Sequence, residues 1–292
     1  MRNKIANYFS LVKFSHTIFA MPFAFIGFFL GVKTVPTFFN LTQQALLFVL
    51  VIACMIFARS AAMAFNRYLD RQFDALNPRT AVREIPVGVI RPGQALIFTV
   101  LMSLLFIGSA YLINPLCFAL SPVALAVILG YSYTKRFTPF CHLVLGLGLA
   151  LAPIGAYLAV AGQFSLLPLL FSLAVICWVS GFDIIYALQD VEFDRAQALY
   201  SIPSWLGKSK ALLVSRVLHV ISFIFIATAG VVGVFSWMYW IGAFLYGGLL
   251  VFQQRLVSPH NLSRVNLAFM TANGIASVVF AFFVIADLYL HQ

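Results

Sequence analysis

Seven of the eight acidic residues of this 292-residue chain fall in two short windows, Asp70, Asp74 and Glu84 in one and Asp183, Asp190, Glu192 and Asp194 in the other. In the first, Asn66, Asp70 and Asp74 follow at i, i+4 and i+8. On a helix these oxygen-bearing side chains form one stripe that advances about 40° per step. In the second, Asp183, Asp190 and Asp194 stand at i, i+7 and i+11, offsets that return to one helical face within about 20°. Glu192 points off that stripe, and Glu84 lies outside the first. Carboxylates stacked so closely repel one another, and a hard cation relieves the repulsion. Magnesium takes octahedral oxygen ligands, keeps several waters, and uses one or two carboxylates together with substrate phosphate oxygens. Two sparse, facing clusters therefore suit two Mg2+ ions that bridge a diphosphate. The ordinary alternative, solvated helix ends, would have to absorb nearly all the acid of the chain at two matching edges.

A diphosphate also needs cations from the protein. Arg79 and Arg83 follow the first window in Asn77-Pro78-Arg79-Thr80-Ala81-Val82-Arg83-Glu84-Ile85-Pro86-Val87-Gly88, an ordered loop by its prolines and glycine. Tyr131 and Lys135 stand four apart on one helical face, followed by Arg136. Lys135 has the reach for a phosphate and Arg136 for an aromatic carboxylate; as topology signals alone, neither needs a further role. His16 and His142, each lone in an apolar stretch, read as packing residues.

The elements that carry these residues follow from composition. With 63% apolar residues, 9% charged residues and a mean hydropathy of +1.00, the chain belongs in a bilayer. Stretches of about 20 apolar residues, enough to cross roughly 30 Å of hydrocarbon, predict nine helical spans at 14–33, 42–64, 94–113, 115–133, 140–162, 166–188, 211–234, 236–254 and 265–288. Runs apolar on every side, such as Leu166 to Trp178, exclude a barrel, whose strands alternate. The first span is long and no small-residue cleavage site follows it, so it reads as part of the mature chain. Cys54, Cys117, Cys141 and Cys177 fall inside spans without metal-site spacing and read as small core residues.

The net charge of +10 is explained by topology rather than by nucleic acid. With the N-terminus in the cytoplasm, Arg2, Lys4, Lys13, Arg67, Arg71, Arg79, Arg83, Arg91, Lys135, Arg136, Arg195, Lys208, Lys210, Arg255 and Arg264 lie inside, Lys33 alone lies in an outside loop, and Arg59 and Arg216 lie in helices. Both acidic windows then face the cytoplasm, and an odd number of spans carries the C-terminus to the opposite side.

At this point the chain resembles the intramembrane aromatic prenyltransferases of the UbiA type, whose signatures NxxxDxxxD and DxxxxxxDxxxD stand here as Asn66-Asp70-Asp74 and Asp183-Asp190-Asp194. The likeness extends over the whole chain, including Tyr131-x3-Lys135 and the Arg79-Thr-Ala-x-Arg83-x-x-Pro-x-Gly loop. It implies a single all-helical transmembrane domain, 1–292, with helices around a central cavity. Two Mg2+ ions would hold an isoprenyl diphosphate there, one on Asn66, Asp70 and Asp74 and the other on Asp183, Asp190 and Asp194. Arg79, Arg83, Tyr131 and Lys135 would contact the diphosphate and Arg136 the acceptor carboxylate. Arg83 and Lys135 would draw electrons into the leaving pyrophosphate, and Asp183 would assist removal of a ring proton. The wording around Asp183 and Ser201-Ile202-Pro203 resembles the 4-hydroxybenzoate polyprenyltransferase branch of quinone biosynthesis, which shades into enzymes that prenylate a hydroxynaphthoate on a menaquinone route. The implied setting is the bacterial cytoplasmic membrane. Two other classes compete. A transporter would carry its acids near the midplane, whereas these lie at one edge; a CDP-alcohol phosphotransferase would carry a compact DxxDGxxAR run, which is absent.

Overall fold

The computed structural model describes residues 7–8, 10–12, 21–35 and 40–290. Arg2, Lys4, Lys13, His16, the first seven residues of the span expected at 14–33, and the last two residues of the chain lie outside them. The described chain is helical: α1 (Met21–Thr34), α2 (Leu41–Leu76), α3 (Pro92–Ile113), α4 (Pro115–Thr134), α5 (Cys141–Ala161), α6 (Leu166–Ala187), the short α7 (Val191–Ala196) and α8 (Ile202–Leu206), then α9 (Lys208–Val232), α10 (Trp237–Arg255) and α11 (Asn273–Leu290). No strand occurs among the described residues. Seven stretches are long and apolar enough to cross a membrane, and α1 and α10 fall on the first and eighth expected spans. Large apolar side chains such as Ile97, Leu104, Tyr111, Phe244 and Phe282 are exposed on outer faces, a surface that only lipid satisfies. The chain is a polytopic, all-helical integral membrane protein.

Sequence chemistry sets the helix ends. The side chain of Asn114 accepts from the Cys117 N–H at 2.8 Å and caps α4, whose first residue is Pro115; the same side chain donates to Leu158 O at 2.9 Å and ties that turn to α5. Ser201 and Ser204 form a reciprocal cap on α8. Trp178, fully buried, anchors the centre: its ring packs against Phe23, Phe182 and Tyr246, and its indole N–H donates to Asn273 Oδ1 at 2.9 Å beside the π-turn Leu267–Ala272. Gly146 lets α5 lie directly on α6, since a Cβ there would stand 2.6 Å from both Ile176 O and Ser180 Oγ. That contact sets the distance between the start of α5 and the end of α6, where the second acidic window begins.

One expectation about the acids is corrected. The second window is not one helical stripe, because α6 ends at Ala187, a 3₁₀ turn spans Leu188–Asp190, and α7 starts at Val191. The tighter winding brings residues three apart into line, which buries both Leu188 and Val191. By contrast α2 runs unbroken for 36 residues, about 54 Å, and carries the first window on its extension beyond the expected span. Asp287, the acid outside both windows, is buried near the other end of the molecule, where it accepts the N–H groups of Ser236 (3.0 Å) and Tyr239 (3.1 Å) and the Ser236 hydroxyl. It caps α10 from α11. Replacing Asp287 by Ala strands these donors and is expected to cost about 1.5–3 kcal/mol, read as a lower melting temperature in detergent with unchanged ligand binding at the acidic windows.

Candidate active site

The end of α2, the loop 77–91, the end of α4, the start of α5 and the α6–α8 corner enclose a polar cavity of about 270 Å³. Asn66, Asp70, Asp74, Asp183, Asp190 and Asp194 all line it, together with Arg79, Arg83, Tyr131 and Lys135. Arg136 reaches Asp70 from outside the lining, with Nη2 3.2 Å from Oδ1. Glu84 and Glu192 do not line the cavity: Glu84 accepts from the Ser10 hydroxyl, and the Glu192 side chain is 79% exposed, 3.7 Å from Lys208.

Each acid in the cavity is met by a named donor. Asp70 lies 2.7 Å from Lys135 Nζ and accepts from Asn66 Nδ2 at 3.1 Å. Asp74 Oδ1 lies 2.6 Å from Arg83 Nη1, whereas its Oδ2 is buried without a partner. Asp190 receives a bidentate fork from Arg79, at 3.0 Å from Nε and 2.6 Å from Nη2, and a further bond from Asn77 Nδ2 at 3.1 Å. The third nitrogen of Arg79 donates to the Tyr186 hydroxyl at 2.9 Å. Burial opposes the charge of Arg79, but the hydrogen bonds and charge of Asp190 outweigh it and hold the guanidinium above its usual pKa. Asp194 accepts from Ser201 Oγ at 2.9 Å. Asp183 Oδ2 lies 2.7 Å from His142 Nδ1. Because Asn77 and Arg79 follow the Asn66–Asp74 stripe yet bind Asp190 of the second window, the two windows line one cavity.

An apolar cavity of about 340 Å³ adjoins this one between α2, α3, α4 and α5, with Met55, Phe106, Ile113 and Leu158 in its wall. Arg59, Tyr131 and Leu145 line both spaces. Cys54 and Cys117 face the apolar cavity and Cys141 the polar one; all four cysteines are free. Sequence reasoning missed Arg59 and His142. Arg59 carried a usable signal, since an arginine inside an apolar span is costly unless it faces a partner or a cavity, and its Nε is buried without one. His142 carried none, because only the fold brings α5 to Asp183.

Among the described residues no three His, Cys, Asp or Glu side chains converge to hold a metal unaided. The donors form sparse sets with one buried carboxylate oxygen, Asp74 Oδ2, unpartnered. Such sets fit a hard cation that completes its coordination with water and phosphate oxygens.

A model described as the UbiA prenyltransferase family matches residues 20–282. The chain belongs to that family. It is therefore a membrane-embedded prenyltransferase, which displaces the transporter and phosphotransferase alternatives. Among similar proteins, the 4-hydroxybenzoate octaprenyltransferase of Aeromonas salmonicida is 31% identical over 222 residues, covering 76% of each chain. The enzyme of the same name from Yersinia enterocolitica is 29% identical over 240 residues, covering 82% of each. A UbiA homologue from Aeropyrum pernix K1 superposes with a TM-score of 0.77 at 30% identity, covering 93% of this chain and 96% of its own. One from Archaeoglobus fulgidus, solved with GPP and Mg2+, gives 0.74 at 20% identity, covering 97% and 100%.

The pairing of this prenyltransferase has an asymmetry that can be measured. Arg83→Gln leaves the buried Asp74 without its cation and is expected to cost about 3–5 kcal/mol. Lys135→Gln leaves Arg136 3.2 Å from Asp70 and is expected to cost less. Thermal unfolding of the two variants in detergent compares them; equal losses would contradict the redundancy at Asp70.

Proposed function

We propose that the chain transfers a polyprenyl group from polyprenyl diphosphate to the ring of 4-hydroxybenzoate, with Mg2+ as cofactor, as a step of quinone biosynthesis at the cytoplasmic face of a bacterial inner membrane. The observation that carries this reading is the junction of a cation-rich acidic cavity with an apolar one at Arg59, Tyr131 and Leu145. A diphosphate head and an isoprenoid tail need those two environments side by side. The names of the relatives and the Mg2+ and prenyl diphosphate in the A. fulgidus homologue support the same assignment. The basic residues at the site end of the helices, Arg79, Arg83, Lys135, Arg136, Arg195 and Lys208, support a cytoplasmic site with the C-terminus on the opposite side.

In this mechanism Asn66, Asp70 and Asp74 would hold one metal ion and Asp183, Asp190 and Asp194 the other, each completed by water and diphosphate oxygens. Bound magnesium supplies positive charge to the diphosphate oxygens. Arg79, Arg83, Lys135 and the Tyr131 hydroxyl bind the same group, and Arg83 and Lys135 stabilise the charge that develops on it. The allylic C–O bond breaks with its electron pair leaving on pyrophosphate. The ring carbon ortho to the phenol of the acceptor forms the new C–C bond, and a carboxylate takes the displaced ring proton, a role assigned to Asp183, the one member of its cluster on α6. Water must be kept from the allylic cation, a task for the apolar wall. For the acceptor carboxylate, Arg59 is a better partner than Arg136. Arg136 is bound to Asp70 and to the carbonyl of Leu69, whereas Arg59 stands at the junction with an unpartnered Nε.

The test is turnover of labelled polyprenyl diphosphate with 4-hydroxybenzoate. Asp70→Ala and Asp190→Ala, or removal of divalent metal, are expected to lower the rate by about 100-fold or more; product that persists in both variants or without metal would overturn the reading. A charge-assisted hydrogen bond is worth about 1.5–3 kcal/mol, so Arg59→Ala is expected to raise KM for the acceptor roughly 10- to 100-fold with little change in KM for the donor. Replacing 4-hydroxybenzoate by hydroxynaphthoates in the same assay identifies the acceptor: faster turnover of a naphthoate assigns the menaquinone route.

A further inference from the structure

His142 is a first-turn residue of α5, 2% exposed, in the lining of the polar cavity. Its ring bridges the start of the second acidic window and the turn that follows the window. Nδ1 lies 2.7 Å from Asp183 Oδ2, and Nε2 lies 3.3 Å from the backbone N of Ile202. The backbone N–H of Ile202 only donates, so Nε2 accepts from it, and the ring hydrogen on Nδ1 donates to Asp183. The start of α5 is held in turn: the Ser180 hydroxyl, one turn before Asp183 on α6, lies 2.6 Å from Ile176 O and 3.0 Å from His142 O and shares its one hydrogen between the two carbonyls. Ile202 follows Ser201, whose hydroxyl donates to Asp194 Oδ2 at 2.9 Å. One ring thus touches Asp183 directly and reaches Asp194 through the Ser201–Ile202 turn, although the two aspartates are separated by the helix break at 188–190. The Asp183 side chain remains 23% exposed to the cavity, its Oδ1 free of any partner among the described residues.

We infer that His142 is a positioning residue that fixes the Asp183 carboxylate, with one oxygen held and the other presented to the cavity, and sets the turn that aims Asp194. The break after Ala187 makes such a brace necessary. In the first window a continuous helix fixes the spacing of Asn66, Asp70 and Asp74, whereas in the second no single helix relates Asp183 to Asp194. Outer groups that orient metal-binding carboxylates typically govern affinity or rate by about 10- to 100-fold. The inference rests on the proposed metal–diphosphate site.

The test reads Mn2+ binding by electron paramagnetic resonance in the presence of inorganic pyrophosphate, alongside kcat and thermal unfolding without ligand. His142→Phe fills the space without a donor, His142→Asn puts an amide N–H near the position of Nδ1, and His142→Gln puts one near that of Nε2. The Phe and Gln variants are expected to bind Mn2+ about 10- to 100-fold more weakly and to lose kcat in proportion, whereas Asn, which keeps the donor to Asp183 and gives up only the acceptor for Ile202, loses less than Gln in both readouts. Comparing Asn with Gln keeps the test open should Phe prevent folding. Mn2+ binding and kcat within twofold of the unaltered protein in Phe or Gln would overturn the inference, as would an Asn variant as impaired as Gln. Absence of Mn2+ binding by the unaltered protein would overturn the diphosphate reading and this inference with it.

Discussion

A carboxylate at the edge of an apolar helix bundle is stable only where a cation or a hydrogen-bond donor meets it, and the site end of this molecule is organised by that requirement. Asp70 on α2 draws the end of α4 through Lys135 and Arg136; Asp190 draws the loop after α2 through Asn77 and Arg79; Asp183 draws the start of α5 through His142; and Asp194 draws the start of α8 through Ser201. All but the Asp194–Ser201 pairing join elements remote in sequence. Together they bring the walls of the polar cavity into place, so the interactions that compensate the acids also define the space in which they act.

The rest of the bundle obeys the opposite constraint. In the hydrocarbon region backbone groups bond within helices, and helices approach one another through shape. Gly146 on Ile176 and the aromatic packing around Trp178 are the places where that shape is decided. Where α2 to α5 do not close, they leave the apolar cavity, and its junction with the polar one is marked by Arg59, a charge whose position in a span is otherwise unexplained. Polar chemistry at one end and an apolar chamber beside it follow from one arrangement of helices, and membership of the UbiA prenyltransferase family gives that arrangement its reaction class.

Much of this was legible in the sequence, for physical reasons that can be named. Continuous apolarity marked the helices, and the i, i+4, i+8 spacing marked Asn66, Asp70 and Asp74 because α2 is unbroken there. The same periodicity misread the second window: Asp183, Asp190 and Asp194 do converge on one cavity, but through a 3₁₀ turn that no glycine or proline announces and that buried Leu188 and Val191 require. Asn77, read only as part of a turn, binds Asp190 across 113 positions of sequence, and His142, read as packing, meets Asp183 across 41. Such contacts are set by helix packing and leave no periodic trace.

The central claim is that two acidic clusters remote in sequence act as the two halves of one diphosphate site. The most direct measurement is anomalous diffraction from crystals grown with Mn2+ and a non-hydrolysable polyprenyl diphosphate analogue. Metal peaks are expected within about 2.0–2.2 Å of carboxylate oxygens from both clusters, with a diphosphate between them and the isoprenoid tail in the cavity lined by Met55, Phe106 and Leu158. Metal bound at only one cluster, or a diphosphate seated away from Asp70 and Asp190, would contradict that claim.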